Sequence, residues 1–158
     1  QDRWICINTG RANQVVGEAL RAGLIPELSH FDQVQAEFKY GNSRIDFRLA
    51  NETEKCLVEV KSVSLINGTQ ASFPDAPTAR GLKHLNELAQ AKSEGWKSYM
   101  LYLIMCDGVE HFSPASDIDP AYATRLSEAK QLGVQVLVYD TKTSAQGMTF
   151  GKPVNYSL

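Results

Sequence analysis

The stretch that decides the fold, residues 34–63, reads VQAEFKY-GN-SRIDFRLA-NETE-KCLVEVKSV. Its first segment alternates apolar and polar residues with a period of two, which is typical of a strand with one buried face. Gly41 and Asn42 can supply the positive φ angles of a two-residue hairpin loop, and residues 51–54 form a second turn signal. The stretch therefore predicts three consecutive antiparallel strands joined by two hairpins.

Counting back from the two turns predicts which residues lie opposite one another. The pairs are Tyr40 with Ser43, Glu37 with Asp46, Ala50 with Lys55, Asp46 with Glu59, and Arg44 with Lys61. Paired residues point to the same side of a sheet. One face is then predicted to be charged, with Glu37, Lys39, Arg44, Asp46, Glu59 and Lys61. The other is predicted to be apolar, with Ala36, Phe38, Ile45, Phe47, Leu49, Cys56, Val58 and Val60.

The charged face brings together carboxylates that repel one another, because neighbouring strands lie only about 5 Å apart. A divalent cation removes that repulsion, and Mg²⁺ takes oxygen ligands from one or two carboxylates while keeping waters for a substrate phosphate. Lys61, two residues after Glu59, could stabilise charge on such a phosphate or orient an attacking water. The alternative interpretation is a solvated face whose lysines and arginine neutralise the acids. The order D-x12-E-V-K favours the metal site.

This arrangement resembles the PD-(D/E)xK nuclease superfamily. Asp46 matches the acid of that motif and Glu59-Val60-Lys61 match its (D/E)-x-K, although Ile45 stands where the proline would be. The resemblance implies an α/β fold with a restriction-endonuclease-like αβββαβ core, in which a mixed sheet is flanked by helices. It also implies catalytic roles for Asp46, Glu59 and Lys61, and ligation of Mg²⁺ or Mn²⁺ by Asp46, Glu59 and the carbonyl of Val60. The hairpin count adds Glu37 as a further catalytic candidate.

A closer resemblance is to the sugar fermentation stimulation protein A family of bacteria and archaea. It is carried by YGNSRIDF, EVKSVSL, FPDAPTARGLKHLNEL and HFSPASDIDPAYA, in the order of the family. The resemblance implies non-specific nucleic-acid binding, a nuclease-like core and a link to the regulation of maltose metabolism. Family members also carry an N-terminal OB-like domain that has no counterpart here. Residues 1–158 are therefore expected to be one PD-(D/E)xK nuclease-like domain of a longer protein.

The length, the apolar runs and the cysteine positions indicate a single domain without a membrane span. A chain of 158 residues is in the usual range of a single domain, and it contains no apolar run long enough to span a membrane. Cys6, Cys56 and Cys106 are far apart and lie among apolar neighbours, which predicts buried thiols in the cytoplasm and neither a disulfide framework nor a zinc site.

The net charge of −2 is unusual for a protein that binds phosphates. Binding of DNA, with RNA as the alternative, must then rest on a local patch; its expected members are Lys39, Arg44, Lys61, Arg80 and Lys83.

The other elements follow from caps and apolar periodicity. A first helix is predicted after an Asn8-Thr9 cap, with Ala12, Val15, Val16, Ala19 and Leu20 inward. Residues 67–77 are predicted to be a loop, followed by a helix from Thr78 to Gly95. A third helix is predicted after the Asp119-Pro120 pair, and buried strands are predicted at 99–106 and 134–139.

Two further positions leave alternatives open. Arg80 and His84 are predicted to share one polar face of the second helix, which is either an exposed ion-pairing surface or a contact to phosphate, with His84 as a candidate general base. Asp75 is either a turn residue or a further acid near the metal. Three classes of function stay open: a Mg²⁺-dependent nuclease, a DNA-binding regulator that uses the nuclease fold as a platform, and a domain that binds nothing without its partner domain.

Overall fold

The computed structural model describes residues 3–8 and 10–158. Its helices are α1 (Gly10–Arg21), α2 (Ala79–Ser93) and α3 (Pro120–Gln131), with a 3-10 turn at Pro26–Leu28. Its strands are β1 (Gln33–Tyr40), β2 (Ser43–Ala50), β3 (Lys55–Val63), β4 (Leu65–Asn67), β5 (Gln70–Phe73), β6 (Lys97–Ile104), β7 (His111–Pro114), β8 (Gln135–Ser144), β9 (Gly147–Pro153) and β10 (Asn155–Tyr156).

The main sheet has six strands in the order β1-β2-β3-β6-β8-β9. The first three strands are antiparallel, β3, β6 and β8 are parallel, and β9 returns antiparallel to β8. α1 packs on one face of this sheet, and α2 and α3 pack on the other. The predicted α/β fold, a mixed sheet flanked by helices, is confirmed.

The helices begin and pack largely as their sequences predict. The predicted inward residues of α1 are all buried. Thr78 caps α2 by accepting a hydrogen bond from the Gly81 amide, and Asp119 caps α3 through the Tyr122 amide. Before α1, the Asn8 side chain accepts a hydrogen bond from the Gly10 amide, whereas the predicted role of Thr9 falls outside the described residues.

A second, smaller sheet corrects the predicted loop at residues 67–77. β4 ends at the start of that segment, and β5 lies within it; the two strands form a hairpin. With β7 and β10 they make a sheet in the order β10-β7-β5-β4. Ala71 and Phe112 of this sheet are buried in the apolar cluster beneath α2 and α3. Residues 70–73 are therefore a strand anchored in the core by Ala71, whereas residues 74–77 form a loop as predicted.

Both predicted hairpin registers are confirmed where the strands pair. Tyr40 lies opposite Ser43, and Ala50 lies opposite Lys55. The β2–β3 pairing, however, ends at Phe47–Val58. The expected pairs of Asp46 with Glu59 and of Arg44 with Lys61 are therefore not formed as regular sheet pairs.

The prediction of one apolar and one charged face is wrong, because side chains of β2 change face along the strand. Phe47 and Leu49 pack in the cluster beneath α1, whereas Ile45 packs in the cluster beneath α2. Strict alternation would place all three on one face. The change occurs at Asp46.

The same change occurs in β1 at Glu37, in register with Asp46. Val34 packs on the α1 side, and Phe38 packs on the α2 side. Glu37 has a φ of 57°, in the left-handed region that only a few per cent of non-glycine residues occupy. This backbone rotation gives the physical reason for the reversal of faces.

The described residues contain no helix that is long and apolar enough to cross a membrane. The three cysteines are free thiols, as predicted; Cys56 and Cys106 are buried and Cys6 is half-buried. A cytoplasmic location stays a prediction.

Candidate active site

Asp46 lies where β2 separates from β3, and two hydrogen bonds orient its carboxylate. Oδ2 accepts one from the Val60 amide at 2.8 Å, and Oδ1 accepts one from Asn13 Nδ2 at 2.8 Å. Asn13 reaches the sheet because α1 packs closely against it: a Cβ atom at Gly17 would lie 3.3 Å from the ring of Phe47. The side chain of Asp46 thus binds an amide that regular pairing with β2 would otherwise satisfy.

Glu59 lies beside Asp46 on the α2 side of the sheet, with 3 % of its surface exposed. Burial, followed by the negative charge of Asp46, raises the pKa of Glu59 well above its ordinary range. Its Oε2 is buried and has no hydrogen-bond partner among the described residues. A buried carboxylate oxygen in this state requires a proton or a cation.

The Val60 carbonyl adds a third oxygen at the same place. The N–H and C=O groups of one strand residue point to the same side, so this carbonyl is directed, like the amide, towards Asp46 and the gap between β2 and β3. Two carboxylates and a carbonyl are hard oxygen donors, which suit Mg²⁺, Mn²⁺ and Ca²⁺. Across residues 3–8 and 10–158, no three His, Cys, Asp or Glu side chains form a metal-binding group, so further ligands would have to be waters or substrate oxygens.

Lys61 lies on the same side of β3 as Glu59, as predicted. Its side chain is 13 % exposed, and its Nζ lies 3.9 Å from Glu59 Oε1. Burial lowers the pKa of Lys61, and the charges of Glu59 and Asp46 oppose that shift. A shorter contact, of 2.8 Å, joins Lys61 Nζ to Nδ1 of His84.

Of the two alternatives left open for the Arg80 and His84 face of α2, an exposed ion-pairing surface does not hold for His84, and its contact with phosphate stays a prediction. The residue is 3 % exposed and lies against β3, where its Nδ1 is also 3.3 Å from Glu59 Oε1. Burial, followed by the positive charges of Lys61 and Arg80, lowers the pKa of His84 to about 4. The imidazole is therefore neutral near pH 7, and Nδ1 accepts the hydrogen bond from Lys61 while Nε2 carries the proton.

Glu37 does not join the other carboxylates, contrary to the predicted geometry. Its side chain is 78 % exposed, and its Oε2 is 4.0 Å from Arg44 Nη1. Ser43 hydrogen-bonds Glu87 of α2, so its side chain lies on the α2 side of the sheet. Because neighbouring side chains of a strand alternate, the side chain of Arg44 points away from α2. Lys39 pairs with Arg44 and shares its direction. The role of Lys39 and Arg44 in nucleic-acid binding stays a prediction.

The exposed part of α2 borders the buried site. Arg80 is exposed, and its charge acts on both Lys61 and His84. Lys83 is 55 % exposed and lies 3.8 Å from Glu87. Asp75 is an exposed residue of the bend before Pro77, in agreement with the turn interpretation, and a role near the metal stays a prediction.

Asn13 is a site residue that sequence reasoning missed. It lies on the polar side of α1, and its contact with Asp46 joins residues separated by 33 positions. Its position one residue after the buried Ala12 was a weak signal that it borders the sheet. Only the packing of α1 brings it to the site.

The family model of the sugar fermentation stimulation protein RE domain matches residues 10–147. The chain is 51 % identical over 150 residues to a sugar fermentation stimulation protein homolog of Pseudomonas fluorescens, covering 92 % of this chain and 63 % of that protein. It is 47 % identical over 156 residues to the homolog of Pseudomonas aeruginosa, covering 96 % and 66 %. The chain thus spans just under two thirds of the length of these two relatives.

A solved structure, that of Pyrococcus furiosus SfsA in complex with Ca²⁺, has the same fold. Its TM-score is 0.92 at 25 % sequence identity, and the match covers 99 % of this chain and 68 % of that one. Sequence and fold lead to the same assignment: the chain belongs to the sugar fermentation stimulation protein family.

Proposed function

We propose that this protein is a metal-dependent nuclease that hydrolyses phosphodiester bonds of DNA at the site formed by Asp46, Glu59 and Lys61. The observation that carries the proposal is the buried Glu59 carboxylate, whose Oε2 lacks a partner among the described residues while Asp46 stands beside it. Two adjacent acids destabilise an ordinary protein core, because burying them costs free energy unless a cation or a proton compensates their charge.

The residues of the site fit a divalent cation. Asp46, Glu59 and the carbonyl of Val60 would hold Mg²⁺ or Mn²⁺. The Pyrococcus furiosus protein was solved in complex with Ca²⁺, which supports binding of a divalent cation. When bound, such an ion supplies Lewis-acid polarisation of a phosphate oxygen and a more acidic water. Asn13 keeps Asp46 oriented towards the site through its hydrogen bond to Oδ1.

Lys61 provides the electrostatic part of the chemistry. Its ammonium is largely withdrawn from solvent, so its attraction to a phosphate oxygen is screened less than that of a surface lysine. Charge that develops on the phosphate during hydrolysis would be stabilised by this group. Arg80 and Lys83, exposed on α2, would position the flanking phosphates.

A second function is favoured by the names of the relatives, which refer to stimulation of sugar fermentation and not to cleavage. Under this alternative the protein is a non-catalytic DNA-binding regulator of sugar metabolism, such as maltose metabolism. The same surface of α2 would contact DNA, and the buried acids would hold a structural cation.

The two functions are separated by Lys61→Ala in the full-length protein, assayed with Mg²⁺ and with Mn²⁺. A nuclease would lose about a hundredfold or more in cleavage rate, the usual scale for a positioned electrostatic group, with metal affinity nearly unchanged. A DNA-binding platform would lose only affinity, with a salt slope shallower by about one phosphate contact. Lys142→Ala, an exposed lysine of β8 outside the predicted patch, is the control. If the wild-type protein cuts neither single- nor double-stranded DNA or RNA, the nuclease proposal fails and DNA binding is retained.

A further inference from the structure

We infer that His84 holds the Lys61 ammonium away from Glu59 and thereby keeps the Glu59 carboxylate available to a divalent cation. The availability of Glu59 to a cation rests on the proposed function, whereas the placement of Lys61 by His84 rests on geometry alone. His84 is in this sense a positioning residue: it would contact neither the cation nor the phosphate.

Two distances carry the inference. Lys61 Nζ is 2.8 Å from His84 Nδ1 and 3.9 Å from Glu59 Oε1. A direct ammonium–carboxylate hydrogen bond is about 2.7–2.9 Å long, so Lys61 makes its short bond to a neutral acceptor although a carboxylate is within reach. Something must oppose the stronger partner, and the His84 ring is the group in contact.

The sheet alone would favour the opposite arrangement. Lys61 and Glu59 are two residues apart on the same side of β3, and both are buried. When Glu59 is ionised, as it must be to hold a cation, a lysine so placed is drawn into a direct ion pair with it, because a low-dielectric environment strengthens their attraction. Such a pair would cover Oε1 of Glu59 and compete with any cation for it.

His84 can hold the ammonium because its ring cannot move away. The residue is 3 % exposed, and the neighbouring Leu85 and Leu88 are fully buried against the sheet, which fixes the helix in place. His84 Nδ1 lies 2.8 Å from Lys61 Nζ and 3.3 Å from Glu59 Oε1, so the ring contacts both groups. With Nε2 carrying the proton, Nδ1 is the acceptor that faces Lys61.

The test compares cation affinities of His84→Leu and His84→Asn, measured by calorimetry with Ca²⁺ and with Mn²⁺. Leucine has no acceptor, so Lys61 closes on Glu59 and the dissociation constant rises about tenfold or more, as for other residues that orient metal ligands. The amide oxygen of asparagine can replace Nδ1, so His84→Asn stays close to wild type. His111→Leu, which removes a half-exposed histidine of β7, is the matched control and leaves the affinity unchanged.

The double variant His84→Leu with Lys61→Met provides the decisive comparison. If Lys61 is the competitor, removing it restores the affinity that His84→Leu loses. A double variant that binds as weakly as His84→Leu overturns the inference. Should His84→Leu not fold, His84→Ala is the second acceptor-free variant.

A crystal structure of the metal-free His84→Leu or His84→Ala protein tests the geometry without any cation. The Lys61 Nζ–Glu59 Oε1 distance is expected to shorten from 3.9 Å to about 2.8 Å, the length of a charge-assisted hydrogen bond. An unchanged distance overturns the inference whatever the protein binds. If the wild-type protein binds no divalent cation, the proposed function fails, and this distance still decides whether His84 positions Lys61.

Discussion

The Asp46 carboxylate accepts a hydrogen bond from the backbone amide of Val60 at 2.8 Å, at the point where β2 and β3 stop pairing. A side chain therefore satisfies an amide that would otherwise be left without a strand partner. Glu59 is the preceding residue of β3, and its carboxylate lies beside that of Asp46. One contact thus ends the sheet pairing and places two carboxylates together.

Asp46→Asn is expected to abolish cation binding without unfolding the protein. The amide oxygen can still accept a hydrogen bond, and loss of the charge relieves repulsion with Glu59. In a thermal-shift assay, wild type should gain stability with Mn²⁺ or Ca²⁺, because a ligand bound only by the native state stabilises it. The variant should show no gain and no fall in metal-free stability.

Glu37→Gln is the matched control, since Glu37 lies in register with Asp46 but is exposed and directed to Arg44. It should keep the full response to cations. A loss equal to that of Asp46→Asn would show that Glu37 is a ligand after all.

Asn13→Ala should weaken cation binding by about tenfold, because a residue that hydrogen-bonds a metal ligand contributes on that scale. The side chain is exposed, so the fold should be little affected. Calorimetry with Mn²⁺ measures the change, and Gln14→Ala, the next residue on α1, is the control. Equal affinities for the two variants would contradict a role for Asn13 in orienting Asp46.

Glu37→Gly should leave stability unchanged or slightly raised. Relief of the left-handed backbone at a φ of 57° is worth about 1 kcal/mol, which roughly offsets the extra entropy that glycine brings to the unfolded chain. Lys39→Gly, on the same strand, has no such relief and should lose about 0.5–1 kcal/mol. Urea denaturation of both variants checks the difference, and equal losses would argue against strain at Glu37.

Asp119 should make stability depend on pH in acid. Hydrogen bonds from the amides of Thr78 and Tyr122 lower the pKa of Asp119 below its ordinary value of 3.8. The ionised form is therefore favoured in the native state. Its contribution to the free energy of unfolding is present above the ordinary pKa and is lost as the pH falls through the lowered pKa of the native state. Between pH 5 and pH 3, the midpoint of urea denaturation should fall less for Asp119→Asn than for wild type. The exposed Asp117→Asn should behave as wild type does.

The hairpin registers could be predicted because turn chemistry at Gly41 and Asn42 is local. A two-residue loop fixes every pair that follows, and the structure has those pairs. The faces could not be predicted, since β1 reverses at Glu37 through a positive φ, which is uncommon for a glutamate and has no sequence signal.

Contacts between distant elements account for the other differences. His84 was expected on a polar helix face, but the packing of α2 against β3 buries it next to Lys61, 23 residues away. The small sheet depends on parallel pairing of β5 with β7 and of β7 with β10, and no local pattern shows such pairs. Glu59 and Lys61 could be placed on one side of β3 from the sequence, because β3 keeps regular alternation there.

Arg80 and Arg44 were both expected to bind nucleic acid, and the structure places them differently. Arg80 is exposed beside Lys61, whereas Arg44 is directed away from the α2 side and towards Glu37. Arg80→Ala should therefore weaken DNA binding for all sequences alike and reduce the slope of log affinity against log salt by about one, as for the loss of one phosphate contact. Arg44→Ala should change neither quantity if DNA approaches from α2. Fluorescence anisotropy with a labelled duplex at several salt concentrations measures both, and a larger loss for Arg44→Ala would place the DNA on the opposite face of the hairpin.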